Sequence, residues 1–424
     1  MKNKLFWMVL LAIGLAIAAG WTTGTTMGIG GVTFYQIYEL MGKVFLNALT
    51  LVVIPLVASS IITGIARIGA ESSFGRLGGK TFSFFFLNIL CAVLLGWSLM
   101  MIFDPAAVSM TSEPVSINTA QIAKIECTAQ QTPFYKFEQI FLQAIPSNIL
   151  AAASQGQMLG IIFFSLLFGF FISRIETQAG SALLNFWQGV FQVMMKFTQF
   201  VMKALPFGVF FLVAKVVATT GFEAFSSVAT FFLLIVGGLA FHCLITLPVL
   251  LKVIGRVNPI LHLKAMGPAI LTAFSTSSSS ATLPTTLECL EKRAGVSNRI
   301  CSIVIPLGTS INMAGSAFYT CASAIFIAQA YGVEMSVSTQ CLIMFLAVVT
   351  AIGIAGIPSA CLIALVVILG AIGVPVEGIG LIFAIERILD MCRAATNVFG
   401  NSCCAVLVAR SEGEKTRLVK SIKS

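Results

Sequence analysis

Charged residues are scarce in this chain of 424 residues: only 10% are Asp, Glu, Lys or Arg, while 58% are hydrophobic. Soluble proteins contain roughly 25% charged residues, so this composition excludes a soluble enzyme. A cluster of basic residues is also lacking, because the 25 Lys and Arg are dispersed between apolar stretches. A nucleic-acid partner is therefore excluded, and the basic residues are better explained as markers of the two sides of a membrane.

Two further chemistries lack the residues they need. The 11 cysteines contain no Cys-x-x-Cys pair of the metal-binding type, and most lie in apolar runs, so we interpret them as packing residues. A serine hydrolase would need a G-x-S-x-G elbow, which is absent, and a base, for which only His242 and His262 are available. We expect His262 to lie in a basic cytoplasmic connection and His242 to pack with one interhelical hydrogen bond.

Long uncharged runs dominate what is present, and a helix needs about 20 apolar residues to cross roughly 30 Å of hydrocarbon. The runs cover residues 5–38, 44–66, 81–103, 139–173, 177–195, 224–251, 265–287, 300–333 and 335–376, and segment 378–409 is apolar apart from four charges. The first run is too long for a cleaved signal peptide and is expected to be an uncleaved span. The pattern predicts an all-α polytopic membrane protein.

Lys and Arg predict the orientation, because short cytoplasmic loops carry their excess. Lys2 and Lys4 place the N-terminus inside, the basic tail from 415 to 423 places the C-terminus inside, and residues 105–138 form an external loop. An even number of crossings, most simply eight, satisfies both ends. The expected location is the cell membrane, most simply a bacterial inner membrane.

Two runs do not fit simple crossings. Basic residues of the same side flank the run 265–287, whose centre has six hydroxyl residues, 275–280, followed by Pro284. The run 335–376 is long enough for two passes and is broken by glycines and Pro358. We predict re-entrant helical hairpins at about 265–291 and 335–374, entering from opposite faces, as in transporters built from inverted repeats around a site at the membrane midplane.

The last apolar segment carries a polar stripe, since Glu386, Asp390, Arg393, Asn397 and Asn401 fall on one helical face. Arg393 could bind a carboxylate with two donors and Asp390 an ammonium group, which suits an acidic amino acid. A second interpretation stays open: Asp390 pairs with Arg393 or with Arg387, and the stripe neutralises itself.

The preceding segment contains residues that interrupt a helix, namely Pro306, Gly308 and Gly315. An interruption would free carbonyl oxygens near the hydroxyl and amide side chains of this segment, and such oxygens suit a hard cation. The alternative is a Gly- and Ser-rich face for close helix packing.

Three segments resemble signatures of the dicarboxylate/amino acid:cation symporters, the glutamate transporter family. They are SSSSATLP at 277–284, NMAGS at 312–316 and LDMCRAATNVFG at 389–400. The similarity extends to LVVIPL at 51–56, IPSN at 145–148 and the Gly-Gln pair at 156–157, so that only roughly 105–133 lie outside it.

The resemblance implies eight transmembrane helices plus two re-entrant hairpins, assembled as a homotrimer in contact with membrane lipid. Residues 1–80 (spans 1 and 2) and 139–217 (spans 4 and 5) would form a scaffold. Residues 81–104 (span 3) and 218–424 (span 6, both hairpins, spans 7 and 8, and the tail) would form a transport domain moving as an elevator. The substrate would be glutamate, aspartate or a C4-dicarboxylate, because members that prefer neutral amino acids usually lack the arginine at position 393.

The resemblance also implies the binding residues. Substrate would be bound by Ser278, Ser279, Ser316, Ile357, Ala360, Cys361, Asp390, Arg393, Ala394 and Asn397. Coupling cations would be bound by Gly308, Ser310, Asn312, Ala351, Asn397 and Asn401. No cofactor is expected beyond Na⁺ or H⁺ as the coupling ion.

Departures from the family pattern leave the coupling open. Ala314 and Asn401 replace two aspartates that bind sodium in the family, Asn88 and Ile89 replace hydroxyl residues of span 3, and Ala394 replaces a threonine. One hypothesis keeps symport with fewer cation sites, or with H⁺ carried by Glu386 or Asp390, because burial favours the neutral carboxyl group. The other is an uncoupled exchanger or facilitative carrier. Channel activity is expected only as a secondary leak, because rings of charge are absent.

Overall fold

The computed structural model describes residues 2–70, 75–106, 142, 145–155, 157–175, 178–220, 223–333, 335–353 and 361–418. The first helices are α1 (Lys2–Thr23), α2 (Phe34–Ala70), α3 (Gly75–Phe103), α4 (Ile149–Ser154), α5 (Met158–Ile172), α6 (Gln178–Val201), α7 (Leu205–Thr220) and α8 (Glu223–Phe241). The others are α9 (Leu247–Val253), α10 (Pro259–Thr276), α11 (Leu283–Glu288), α12 (Asn298–Ile311), α13 (Ala314–Ala330), α14 (Val337–Gly353), α15 (Cys361–Ile372) and α16 (Phe383–Ser411).

Shorter segments connect these helices. They are 3-10 turns at Met202–Ala204, Ser280–Thr282 and Val376–Leu381, and π-helical turns at His242–Thr246 and Cys289–Ala294. A small antiparallel hairpin pairs Gly28–Ile29 with Val32–Thr33 between α1 and α2. Its two turn residues, Gly30 and Gly31, have φ of 64° and 84°, a conformation that glycine adopts without a steric cost.

The architecture confirms the prediction of an all-α membrane protein. Among the described residues three helical stretches are long and apolar enough to cross a membrane, Leu77–Phe103, Ser227–Val253 and Asn298–Ala330. A fourth span results if Gln178–Val201 and Leu205–Thr219, which bend by 57°, count as one. The predicted number of eight spans and the predicted orientation stay predictions.

The helices pack in two groups. Helix α2 contacts α5, α6 and α7, and α7 also contacts α1. In the second group α16 contacts α3, α10, α12 and α13. Helices α14 and α15 lie between the groups, because each contacts both α13 and α2. Helix α13 is buried at every position from 314 to 328, so it forms the centre of the second group.

The first predicted hairpin corresponds to a helix–turn–helix unit. The side chain of Asn258 caps α10, and Pro259 occupies its first turn, where a missing N–H costs nothing. The chain reverses at Ser277, whose φ is +50°, and the π turn at Cys289–Ala294 packs back against α10. The unit therefore spans 259–294 instead of about 265–291.

The second predicted hairpin has its arms in α14 and α15, which pack against each other. Most of its predicted tip, 352–359, lies outside the described residues, which stop at 353 and resume at 361. That either hairpin turns back inside a membrane stays a prediction.

The prediction that His262 lies in a connection is wrong. His262 belongs to α10 and is fully buried, with its Nε2 2.9 Å from Ser402 Oγ and its ring stacked on Phe399 at 5.5 Å between centroids. The uncharged run begins only after Lys264, whereas the helix begins at its Asn-Pro capping signal, so the charge pattern placed the start of the element too late.

Candidate functional site

The polar stripe of α16 forms a buried ion cluster around Arg393, which is 1% exposed. Its Nη2 lies 2.7 Å from Glu386 Oε1 and 2.7 Å from Asp390 Oδ1. Arg387 donates to the other oxygen of Asp390 at 3.4 Å. Two arginines therefore face two carboxylates, and the formal charges of the cluster cancel, as the self-neutralising alternative predicts.

Tyr319 of α13 supports this cluster from the neighbouring helix. The Arg393 guanidinium carbon lies 4.0 Å from the centroid of the Tyr319 ring, within the range of a cation–π contact. The Tyr319 hydroxyl donates a hydrogen bond to Glu386. Sequence reasoning missed this residue, although Tyr319 lies three positions after Ser316 and so on the same helical face.

The third nitrogen of the Arg393 guanidinium, Nε, is a further hydrogen-bond donor. It is buried and has no hydrogen-bond partner among the described residues. A buried charged donor left unpaired is costly, so an acceptor supplied by a ligand would stabilise it.

Asn397 connects α16 to the start of α13. The helix break lies at Asn312 and Met313, whose ψ angles are 70° and 59°, and so falls between Gly308 and Gly315, two of the three residues that predicted an interruption. A helix that starts after a break exposes unpaired N–H groups. Asn397 Oδ1 accepts hydrogen bonds from the backbone N–H of Gly315 at 2.8 Å and of Ser316 at 3.4 Å, and its Nδ2 donates to Ser316 Oγ at 3.1 Å.

The structure brings several other predicted substrate residues near this cluster. Ser316 bonds Asn397, Ala394 is buried next to Arg393 along α16, and Cys361 begins α15. The Cys361 thiol interacts with the Ser316 hydroxyl and lies within the electrostatic field of Arg393. The predicted residues Ile357 and Ala360 lie outside the described residues.

Ser278 and Ser279 are buried at the reversal between α10 and α11. Ser278 Oγ accepts a hydrogen bond from the backbone N–H of Ala281 at 3.2 Å, and its carbonyl accepts one from Thr282 at 2.8 Å. Both serines therefore belong to the turn that closes the first hairpin.

The predicted cation residues come together only in part. Asn312 Nδ2 donates to Asn401 Oδ1 at 2.8 Å, and a Cβ added to Gly308 would lie 2.6 Å from that oxygen, so these three residues are neighbours. Ser310 is exposed, and Ala351 is buried in α14 without a side-chain oxygen.

Two residues beyond the predicted set extend this polar group into a row. Asn88 of α3 donates from Nδ2 to Asn312 Oδ1 at 3.0 Å. Asn88 Oδ1 lies 3.0 Å from Nε2 of His242, the first residue of a π turn. The interhelical hydrogen bond predicted for His242 is thereby confirmed. We call His242, Asn88, Asn312 and Asn401 the amide row.

The amide row does not fit Na⁺. A hard cation is bound by several oxygen atoms, usually with carboxylates among them. The row contains no carboxylate, and each of its three amide oxygens lies at hydrogen-bonding distance from an N–H group of the row. Within the described part of the chain, no group of three or more His, Cys, Asp or Glu side chains is arranged to hold a metal ion.

Comparison with known proteins agrees with the motifs. The model of the sodium:dicarboxylate symporter family matches residues 5–411. A proton/sodium-glutamate symport protein of Bacillus caldotenax is 34% identical over 414 residues, which cover 97% of this chain and 96% of the relative. A proton/glutamate-aspartate symporter of Escherichia coli (strain K12) is 33% identical over 413 residues, 97% of this chain and 93% of the relative.

A more distant relative is excitatory amino acid transporter 3 of Mus musculus, which is 31% identical over 407 residues, 86% of this chain and 77% of the relative. The match of the family model covers almost the whole chain, including the segments that build the ion cluster and the amide row. The chain belongs to the sodium:dicarboxylate symporter family.

Proposed function

We propose that this protein is a secondary transporter, not an enzyme, that carries glutamate, aspartate or a C4-dicarboxylate across the cell membrane together with a cation. The observation that carries the proposal is the buried Arg393 guanidinium, which contacts two carboxylates and whose Nε has no acceptor among the described residues. The names of the relatives, which are glutamate or glutamate-aspartate symporters, support it.

Substrate recognition follows from exchange of partners at Arg393. The side-chain carboxylate of an acidic amino acid would take the place of a protein carboxylate on the guanidinium, because Arg binds carboxylates through paired donors. Asp390, released from Arg393, would then bind the substrate ammonium group. Ser316 and Asn397 lie beside this position and would bind the α-carboxylate together with Ser278 and Ser279 of the first hairpin and residues of the second.

Charge balance supports a cation as co-substrate. The cluster of Glu386, Arg387, Asp390 and Arg393 has no net formal charge, whereas an acidic amino acid carries one negative charge at neutral pH. An uncompensated charge inside the protein is expensive. A proton on Glu386 or Asp390 would remove this charge without a dedicated metal site, so we favour H⁺ as the coupling ion. An uncoupled exchanger or facilitative carrier remains the second candidate, and Ala314 and Asn401 favour it.

The packing also supports a division of the protein into a scaffold and a transport domain. The group formed by α1, α2, α5, α6 and α7 would be the scaffold of a homotrimer, with both chain termini cytoplasmic. The group that contains α3, α10, α12, α13 and α16 carries the ion cluster and would move as the transport domain. Helices α14 and α15 contact both groups, so an elevator movement would have to change their contacts with α2.

The test of the function is uptake of radiolabelled L-glutamate, L-aspartate, succinate and neutral amino acids into proteoliposomes. Arg393→Cys should lower affinity for acidic substrates more than tenfold, because a charge-assisted contact contributes about 2 kcal/mol or more. Neutral substrates should then be preferred. Arg174→Cys, the same change at an exposed arginine, is the control. Acidic-substrate affinity within a few-fold of the wild type in the Arg393 variant would contradict the proposal.

A further inference from the structure

The amide row has a defined direction, which follows from its one imidazole. An amide oxygen carries no hydrogen, so His242 Nε2 must donate to Asn88 Oδ1. Asn88 then presents its NH₂ group to Asn312 Oδ1, and Asn312 in turn presents its NH₂ group to Asn401 Oδ1. Every amide oxygen of the row accepts a hydrogen bond, and donation runs one way, from His242 to Asn401.

The two ends of the row are unsatisfied. His242 Nδ1 and Asn401 Nδ2 are buried, and neither has a hydrogen-bond partner among the described residues. With Nε2 protonated, His242 Nδ1 ends the row with a lone pair, while Asn401 ends it with an N–H donor. Each of the four side chains is at most 1% exposed, so bulk water does not compensate these ends. A donor at the Asn401 end repels a cation instead of coordinating it.

Close backbone packing holds the amides in place. A Cβ on Gly308 would lie 2.6 Å from Asn401 Oδ1, and a Cβ on Gly400 would lie 2.8 Å from Asn88 Nδ2. The amides of Asn401 and Asn88 therefore fill the space that two glycines leave. Such tight surroundings leave little room for an ion beside the amides.

We propose that His242 fixes the direction of the amide row, so that the row presents N–H groups in place of free oxygens and binds no Na⁺. This inference rests on the proposed function and deepens it, because it excludes Na⁺ coupling through the row. The negative charge of the substrate would then be compensated at the Arg393 cluster, by a proton on Glu386 or Asp390. Asn88 and His242 become positioning residues that determine ion specificity without contacting the substrate.

The test measures Na⁺ binding in the absence of substrate, as the melting temperature of the purified full-length protein in NaCl and in choline chloride of equal ionic strength. The wild type should melt at the same temperature in both salts. Asn401→Asp should melt about 2 °C higher in NaCl at an ion concentration ten times its dissociation constant, because a carboxylate replaces the end of the row.

His242→Leu is the second variant. It removes the imidazole donor to Asn88 Oδ1, so the three amides can flip and donate in the opposite direction. Asn401 would then donate to Asn312, and its Oδ1 would be left without a donor from the row and free to bind a cation. A Na⁺-specific increase is expected here as well. The control is His262→Leu, which removes the other buried histidine and should gain no response to Na⁺. Radiolabelled Na⁺ binding provides the same comparison independently of unfolding.

A Na⁺-specific increase in the wild type would overturn the inference, and so would the lack of any Na⁺ response in both Asn401→Asp and His242→Leu. A response in His242→Leu, with none in the wild type, supports it. A response in Asn401→Asp alone would overturn the role of His242, because the new carboxylate can bind Na⁺ whatever the direction of the row. The shift caused by L-aspartate in choline chloride is recorded separately. Its absence would contradict the proposed substrate class and would leave the result for Na⁺ unaffected.

Discussion

Tyr319 contacts both Arg393, the proposed substrate-binding residue, and Glu386, which is paired with it. The centroid of its ring lies 4.0 Å from the guanidinium carbon, and its hydroxyl donates to Glu386, one of the two carboxylates on Arg393 that a substrate would displace in the proposed function. The hydroxyl therefore positions Glu386, which is paired with Arg393, whereas the ring contacts the Arg393 guanidinium itself. Substitutions that separate the two groups can distinguish these contributions.

We expect Tyr319→Leu to weaken binding of L-aspartate more than Tyr319→Phe does. Phe keeps the cation–π contact, which contributes about 2 kcal/mol at a desolvated site, whereas Leu removes it. The difference between the two variants should be roughly tenfold or more in dissociation constant, measured by isothermal titration or by radioligand binding. Tyr331→Phe, a change at a tyrosine outside the cluster, serves as the control. Equal affinities in the Phe and Leu variants would show that the ring does not hold Arg393.

At the scale of single residues the sequence predicted the ion pairs of Asp390 with Arg393 or Arg387, but not the partners that other helices supply. The stripe on α16 follows from helical periodicity, so Glu386, Asp390 and Arg393 could be placed on one face. Tyr319 and Asn88 lie on other helices, and nothing in one sequence states which helix faces α16. The partners of a polar residue depend on tertiary packing, which local periodicity does not encode.

At the scale of elements, hydroxyl, Pro and Gly residues located the helical segments, whereas the positions of charged residues gave a wrong start for α10. The hydroxyl run predicted the reversal near Ser277. The start of α10 was predicted too late, because the uncharged run begins after Lys264 whereas the helix begins at Pro259. The break between α12 and α13 lies at Asn312 and Met313, between Gly308 and Gly315, two of the three residues that predicted an interruption. Its exact place agrees with the position of Asn397, which accepts a hydrogen bond from a freed N–H group.

The approach of α3 to α13 depends on a glycine whose role the sequence does not reveal. A Cβ on Gly96 would lie 2.8 Å from the backbone oxygen of Phe318. We expect Gly96→Ala to destabilise the protein by about 1–3 kcal/mol, since the helices must move apart. The matched control is Gly237→Ala, where no atom from another part of the described chain lies within 4 Å of the new Cβ. Melting temperatures compare the two variants, and an equal effect of both would contradict close packing at Gly96.

At the scale of the whole molecule, the proposed function requires that the negative charge of the substrate be compensated, because the ion cluster around Arg393 has no net formal charge. If a proton compensates this charge, a pH gradient with the acidic side outside should drive accumulation of L-aspartate in proteoliposomes without Na⁺, and a protonophore should abolish it. Glu386→Gln removes one of the two candidate proton carriers. It should retain exchange of labelled for unlabelled substrate but lose pH-driven accumulation if Glu386 is the carrier.

The control for this experiment is Glu288→Gln, which changes an exposed carboxylate paired with Lys292 and should accumulate L-aspartate like the wild type. Accumulation in Glu386→Gln would assign the proton to Asp390, the other carboxylate on Arg393. Accumulation driven by a Na⁺ gradient at equal pH would contradict proton coupling. A protein that exchanges labelled substrate but accumulates none in a pH gradient or a Na⁺ gradient would be the uncoupled carrier. Its net uptake would follow the substrate gradient and the membrane potential, because the substrate's charge crosses the membrane without a compensating ion.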